Sequence, residues 1–146
     1  MTSQALINPD DFNEDLEDKV APDGNYPLRI TSARYKVSKK DRPMVGLGLA
    51  IEGGEDYATI FENVTFPVED DEPRTRKLML RNMKRLCATF GIPTDVMVAI
   101  ANGEEDRVND LVGSTGTARV VQEAVQDANG NDTGEMRNVL RLPKVQ

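Results

Sequence analysis

The residues able to do chemistry fall into three groups. Between Asn25 and Ile51 the chain carries six cations and one acid, and five of the cations, Arg34, Lys36, Lys39, Lys40 and Arg42, crowd one stretch. Such a block neutralises a multiply charged anion. Further on, Tyr57 and Phe61 offer flat rings that stack on other planar groups. A third group, Glu69, Asp70, Asp71 and Glu72, is a run of acids.

Several chemistries are excluded or made poor. The chain has no histidine, so Ser–His–Asp and Cys–His nucleophiles are impossible. Its single cysteine, Cys87, forms no disulfide framework and makes a zinc site a poor fit. Beside Leu86 and Phe90, Cys87 reads as core. The acids before Pro73 have a simple cause, because carboxylates favour the positive end of a helix dipole and proline fits the first turn. Their other reading, a divalent-metal nuclease site at Asp70, Asp71 and Glu72, lacks a carboxylate pair that the sequence places in a pocket. The expectation is no catalytic residue, no metal and no cofactor.

The elements that must position these groups follow from periodicity. Tyr26–Ser38 reads as a first strand with Leu28 and Ile30 on one parity and Tyr35 and Val37 on the other. A bulge near Ser32–Ala33 reconciles the two sets. Pro43–Ile51 alternates cleanly, Val45, Leu47, Leu49 and Ile51 against Met44, Gly46, Gly48 and Ala50. The two glycines bare the backbone for a ligand or for another element of the same fold. Tyr57–Phe66 alternates as well, with Ala58, Ile60, Val64 and Phe66 inward. Tyr57, Thr59, Phe61 and Asn63 then share the glycine face. Two readings of the rings stand together: a stacking platform, or packing under the N-terminal segment or a loop.

A helix is expected over Pro73–Phe90, with Met79, Met83, Leu86 and Phe90 on its apolar face and Gly91 as its stop. Its opposite face holds Arg74, Arg76, Lys77, Arg81, Lys84 and Arg85. That face is solvated, or it extends an anion track through Arg74, Arg81 and Arg85. A short helix over Thr94–Asn102 and one more turn over 104–112 follow. Thr117–Val125 and Glu135–Leu142 read as a closing hairpin around a polar loop, Asp127–Gly134, with Asn129-Gly130 as turn dipeptide.

The order is therefore β-β-β-α-β-β: mainly β with a helical insert, an OB-fold-like five-stranded barrel. Such barrels bind on strands two and three, between the loops joining strands one to two and four to five. Here the first of those loops is cationic and the third strand aromatic. Single-stranded nucleic acid needs both, charge for its phosphates and rings for its bases. The candidate DNA-binding set is Arg34, Lys36, Lys39, Lys40, Arg42, Tyr57, Phe61, Arg81 and Arg85.

The net charge of −7 points the other way for a nucleic-acid binder. However, residues 1–24 account for −6 and the remaining chain for −1. The expected organisation is an acidic N-terminal tail over 1–21 and one OB-fold-like domain over 22–146. The tail, where Phe12 and Leu16 sit among acids, is a disordered segment, a short partner-docking helix or a competitor for a basic groove.

Pro22-Asp23-Gly24-Asn25-Tyr26 entering a strand, Lys39–Met44 before an alternating strand, Ile60-Phe61-Glu62-Asn63, Phe90-Gly91-Ile92 and Asp110-Leu111-Val112-Gly113 together resemble phage-encoded OB-fold single-stranded DNA-binding proteins, over about residues 20–142. The resemblance implies a phage replication or recombination accessory that coats single strands without sequence preference, in the host cytoplasm. Replication or recombination proteins are its implied partners, through the acidic tail. The chain departs from many single-strand binders in being acidic at its start and not at its end. A protein–protein adaptor or virion component on the same barrel is the competing reading. No apolar run approaches membrane-spanning length.

Overall fold

A computed structural model describes residues 4–13 and 18–144. Of the expected acidic tail, Glu14, Asp15, Leu16 and Glu17 lie outside the described residues, while Pro9–Asn13 forms a 3₁₀ turn. Five strands follow: β1 (Gly24–Val37), β2 (Pro43–Ile51), β3 (Ile60–Thr65), β4 (Thr115–Gln126) and β5 (Asp132–Arg141). Between β3 and β4 lie helix α1 (Pro73–Phe90), helix α2 (Thr94–Ala101) and a 3₁₀ segment, Glu105–Leu111. The strands form one open antiparallel sheet in the order β3-β2-β1-β4-β5.

The long β1 serves two neighbours. Its first part, Gly24–Arg29, pairs with β4, and Leu28–Val37 pairs with β2. Pairing steps from Ile30↔Leu49 to Ser32↔Gly48, so Thr31 is an extra residue. The bulge lies one residue before the expected position. It passes the inward face from Leu28 and Ile30, both fully buried, to Ala33 and Tyr35, and a bulge also increases the local twist.

That bending brings the sheet's two edges together. No hydrogen-bonded ladder joins β3 to β5, yet both strands line the same depressions. One end of the gap is bridged by the N-terminal arm. Ala58 N–H donates to Lys19 O at 3.0 Å, and Lys19 N–H donates to Asp56 O at 2.8 Å. Two residues on, Ala21 N–H donates to Asn138 Oδ1 at 2.8 Å, and Asn138 Nδ2 donates back to Ala21 O at 2.9 Å. The Asn138 amide thus stands in for a strand edge. Ala21, expected at the end of the tail, is fully buried.

The interior is filled by the inward set of β2 together with Ile60, Val64 and Phe66. From the helices, Met83, Leu86, Cys87, Phe90, Val96, Met97 and Ile100 complete it. A buried Leu or Ile contributes about 1.5–3 kcal/mol relative to exposure. α1 ends where Gly91 turns left-handed at φ 63°, and the N–H of Gly91 reaches Cys87 O. Gly116 allows α1 to dock on β4, because a Cβ there would collide with the Thr89 carbonyl oxygen.

Candidate nucleic-acid interface

The outer face of β1, β2 and β3 is built in rows. Register places Arg34, Gly46 and Asn63 side by side across three strands, and Ser32, Gly48 and Phe61 in the next row. Side chains alternate across a strand, so these six positions share one face, with four side chains projecting over the two glycines. They line a shallow depression of about 740 Å³, joined by Lys36.

The glycines set its floor. A Cβ at Gly46 would sit 3.1 Å from Lys36 Cε and Nζ, so the missing side chain lets Lys36 lie across the sheet. A Cβ at Gly48 would meet Ser32 Oγ, so that glycine is also needed for close packing of β1 on β2. Above this floor Phe61 is 78% exposed. A large apolar ring left in water on a strand costs free energy, and it shares this depression with Arg34, Lys36 and the two glycines.

Lys39 and Lys40 are exposed at the tip of the β1–β2 turn. Ser38 orders that turn: its Oγ accepts from Arg42 N–H at 3.1 Å and Lys40 N–H at 3.3 Å. Asp41 takes the left-handed conformation, φ 60°.

Three candidates are placed differently. Arg42 turns inward and pairs with Asp71 through two contacts, Nη1–Oδ2 at 2.8 Å and Nη2–Oδ1 at 2.6 Å. Its Nη1 also donates to Phe66 O at 3.0 Å. Arg42 is therefore occupied by the fold, because a bidentate carboxylate satisfies a half-buried guanidinium better than water does. Tyr57 precedes β3 and does not extend it. It is half-buried, edge-to-face with Tyr26 at 6.3 Å between ring centroids, and the arm at Lys19 bridges to it. Residues 57–59 lie outside the ladder: Tyr57 N–H closes a turn on Gly54 O at 3.1 Å, and Ala58 N–H goes to the arm at Lys19 O. Arg81 is exposed on α1 and lines none of the depressions described, whereas Arg85 reaches the β3–β5 gap.

That gap was not anticipated as part of the surface. Its lower depression, about 280 Å³, is lined by Glu62, Asn63, Arg85 and Arg141 among others. Its upper one, about 420 Å³, is lined by Phe61, Glu62, Met136 and Arg137 among others. Glu62 shares the inward parity of Ile60 and Val64 and is half-buried. Burial pushes its carboxyl above the usual range, and Arg141 and Arg137 pull it part of the way back. Burial likewise raises the Cys87 thiol.

Among the described residues no group of three His, Cys, Asp or Glu side chains is arranged to hold a metal ion. Among the same residues no helix is long and apolar enough to cross a membrane. No model of a known protein family matches the chain, and no curated protein matches it. The reading of this face therefore rests on its own chemistry.

Proposed function

We propose that the protein is a non-catalytic, sequence-independent single-stranded DNA-binding protein, a phage replication or recombination accessory built on an OB-type barrel. The observation that carries the reading is Phe61, 78% exposed over a glycine floor, with Arg34 and Lys36 in the same depression. Rings in water beside cations suit unpaired bases and their phosphates. Paired duplex offers no such base faces.

The barrel assignment is supported by connectivity. In the OB order three strands meander, a helix intervenes, and the last hairpin returns to pair with β1. Here β4 pairs with β1, the helices follow β3, and the free edges of β3 and β5 approach each other. The sequence resemblance to phage-encoded single-strand binders points the same way.

Fluorescence anisotropy with labelled oligo-dT tests the reading. Binding is expected to weaken with salt, with a log–log slope of about −0.7 for each phosphate neutralised. Absence of binding at low salt, or binding indifferent to salt, overturns it.

One observation favours the competing reading, a protein–protein adaptor or virion component on the same barrel without nucleic acid. Leu6, Ile7 and Phe12 are 89%, 65% and 80% exposed around the Asp10–Asp11 turn. Apolar side chains interleaved with acids on an extended arm suit a groove on a basic protein partner. Recovery of a stable protein partner after nuclease treatment supports it, and loss of every partner on nuclease treatment removes it.

A further inference from the structure

We infer that the ligand track continues past Phe61, across the β3–β5 gap, onto Arg119, Arg137 and Arg141 of the closing hairpin, which take further backbone phosphates of the same strand. This rests on the reading of the β1–β2–β3 face as a single-strand site and extends it to residues at the opposite edge of the sheet.

The first observation is a repulsive pair. Arg119 and Arg141 are direct cross-strand partners on β4 and β5. Like charges placed directly opposite each other destabilise a sheet. Arg119 has no ion-pair partner among the described residues. Arg141 has only a long contact to Glu123 at 3.5 Å to offset the repulsion, and an anion bridging the two guanidinium groups relieves it.

The second observation is slack in the carboxylate nearby. Glu123 is shared between Arg137 at 3.6 Å and Arg141 at 3.5 Å. Charge-assisted bonds close to about 2.7–2.9 Å when they are strong. All three side chains are well exposed, so either arginine can exchange Glu123 for a phosphate at little cost.

The third observation is continuity. Phe61 lines both the outer depression of β1–β2–β3 and the upper depression of the gap, which it shares with Arg137. Arg141 and Arg85 line the lower depression of the same gap. A strand stacked on Phe61 therefore meets Arg137 in the adjoining depression, and Arg141, which lines the lower one, also lines a further depression with Arg119. That Arg137 and Arg141 act on the Glu62 carboxyl inside the gap agrees with their closeness to this path.

The test uses the full chain, Arg119→Gln/Arg141→Gln, and Phe61→Ala. Each is titrated with oligo-dT of about 4 and about 16 nucleotides, the usual limits for one such barrel. On the longer strand the double variant is expected to lower the salt slope by about 1.4, or 0.7 per lost phosphate. On the shorter one it is expected to match wild type, while Phe61→Ala weakens both. An unchanged slope on the longer strand overturns the extension and, if Phe61→Ala still weakens binding, spares the outer-face site. A wild type that binds neither oligonucleotide overturns both. Thermal unfolding supplies a second readout. Arg119→Gln is expected to unfold no earlier than wild type, because it removes a like-charge neighbour. Earlier unfolding with unchanged binding assigns Arg119 a structural role and overturns the inference.

Discussion

Arg42 and Asp71 clasp each other across the start of the helical insert, guanidinium to carboxylate at 2.8 and 2.6 Å. The same carboxylate accepts the Val68 N–H at 2.8 Å. The β1–β2 turn and the approach to α1 are thereby fixed as one piece. Lys39 and Lys40 are presented from a turn whose base is tied to the helical insert by this pair.

The pair predicts an acid response. The hydrogen bond from Arg42, then that from Val68, holds the Asp71 carboxyl at about 2 against an ordinary 3.8. A lowered carboxylate stabilises the fold above its unfolded value and loses that contribution as pH falls through its folded value. Asp71→Asn is expected to flatten the acid limb of unfolding between about pH 4 and pH 2, followed by circular dichroism. An acid limb identical to wild type removes the pair from the stability of the fold.

The two aromatic candidates are expected to separate cleanly. Phe61→Ala loses about 1–3 kcal/mol of oligonucleotide affinity and leaves the thermal midpoint where it was. Tyr57→Ala lowers the midpoint, because its contact with Tyr26 contributes about 0.5–1.5 kcal/mol beyond area burial. Its effect on affinity is small. Paired melting and anisotropy curves check both, and equal losses of affinity put Tyr57 back in the site.

Much of this was legible in the sequence. β2 was bounded correctly as Pro43–Ile51 because its alternation is strict and proline and Gly53 bracket it. α1 was bounded as Pro73–Phe90 because acids, proline and the Gly91 stop agree. Tyr57 follows the second of its two readings, packing under the N-terminal segment, since parity along a strand holds only inside a ladder and the ladder begins at Ile60. What removes Tyr57 is backbone pairing from Lys19, a long-range event with no local signature. Arg42 looked like its neighbours because its partner lies in a different charge block. The last loop came out shorter than expected. Asp127 Oδ1 accepts from Asn129 and Asn131 N–H at 2.9 and 3.0 Å, and the ladder resumes at Asp132. Arg119, Arg137 and Arg141 form no block at all, and only cross-strand register gathers them.

Glu62 predicts a rise in stability on substitution. Its carboxyl is raised by burial, so the ionised form is a penalty in the folded state. For an acid with a raised folded value, that penalty grows as pH rises above the ordinary value of 4.5 and is absent below it. Glu62→Gln is expected to raise the melting temperature at pH 7 and to match wild type near pH 4. With one negative charge gone from the gap, oligonucleotide binding is also expected to tighten. A variant less stable than wild type at pH 7 contradicts the burial argument.

Asn138→Leu tests the clasp on the arm. It leaves the buried Ala21 N–H without an acceptor, while Ala21 O keeps Gln122 Nε2 at 3.1 Å. A stranded buried donor costs about 1–3 kcal/mol. Urea unfolding measures it, and a change under half of that range shows that water replaces the amide.

The Ala21–Asn138 clasp also has a meaning in time. Its two halves are 117 positions apart, and a ribosome delivers the first long before the second. While β1, β2 and β3 emerge and begin to pair, the gap they border stays unlatched, and the arm is held by its Lys19 contacts and by the Tyr26 hydroxyl on Pro22 O at 2.6 Å. The latch closes after the last hairpin is made. Amide exchange on a refolding chain is therefore expected to protect Ala21 together with β5, although in sequence it is the neighbour of β1.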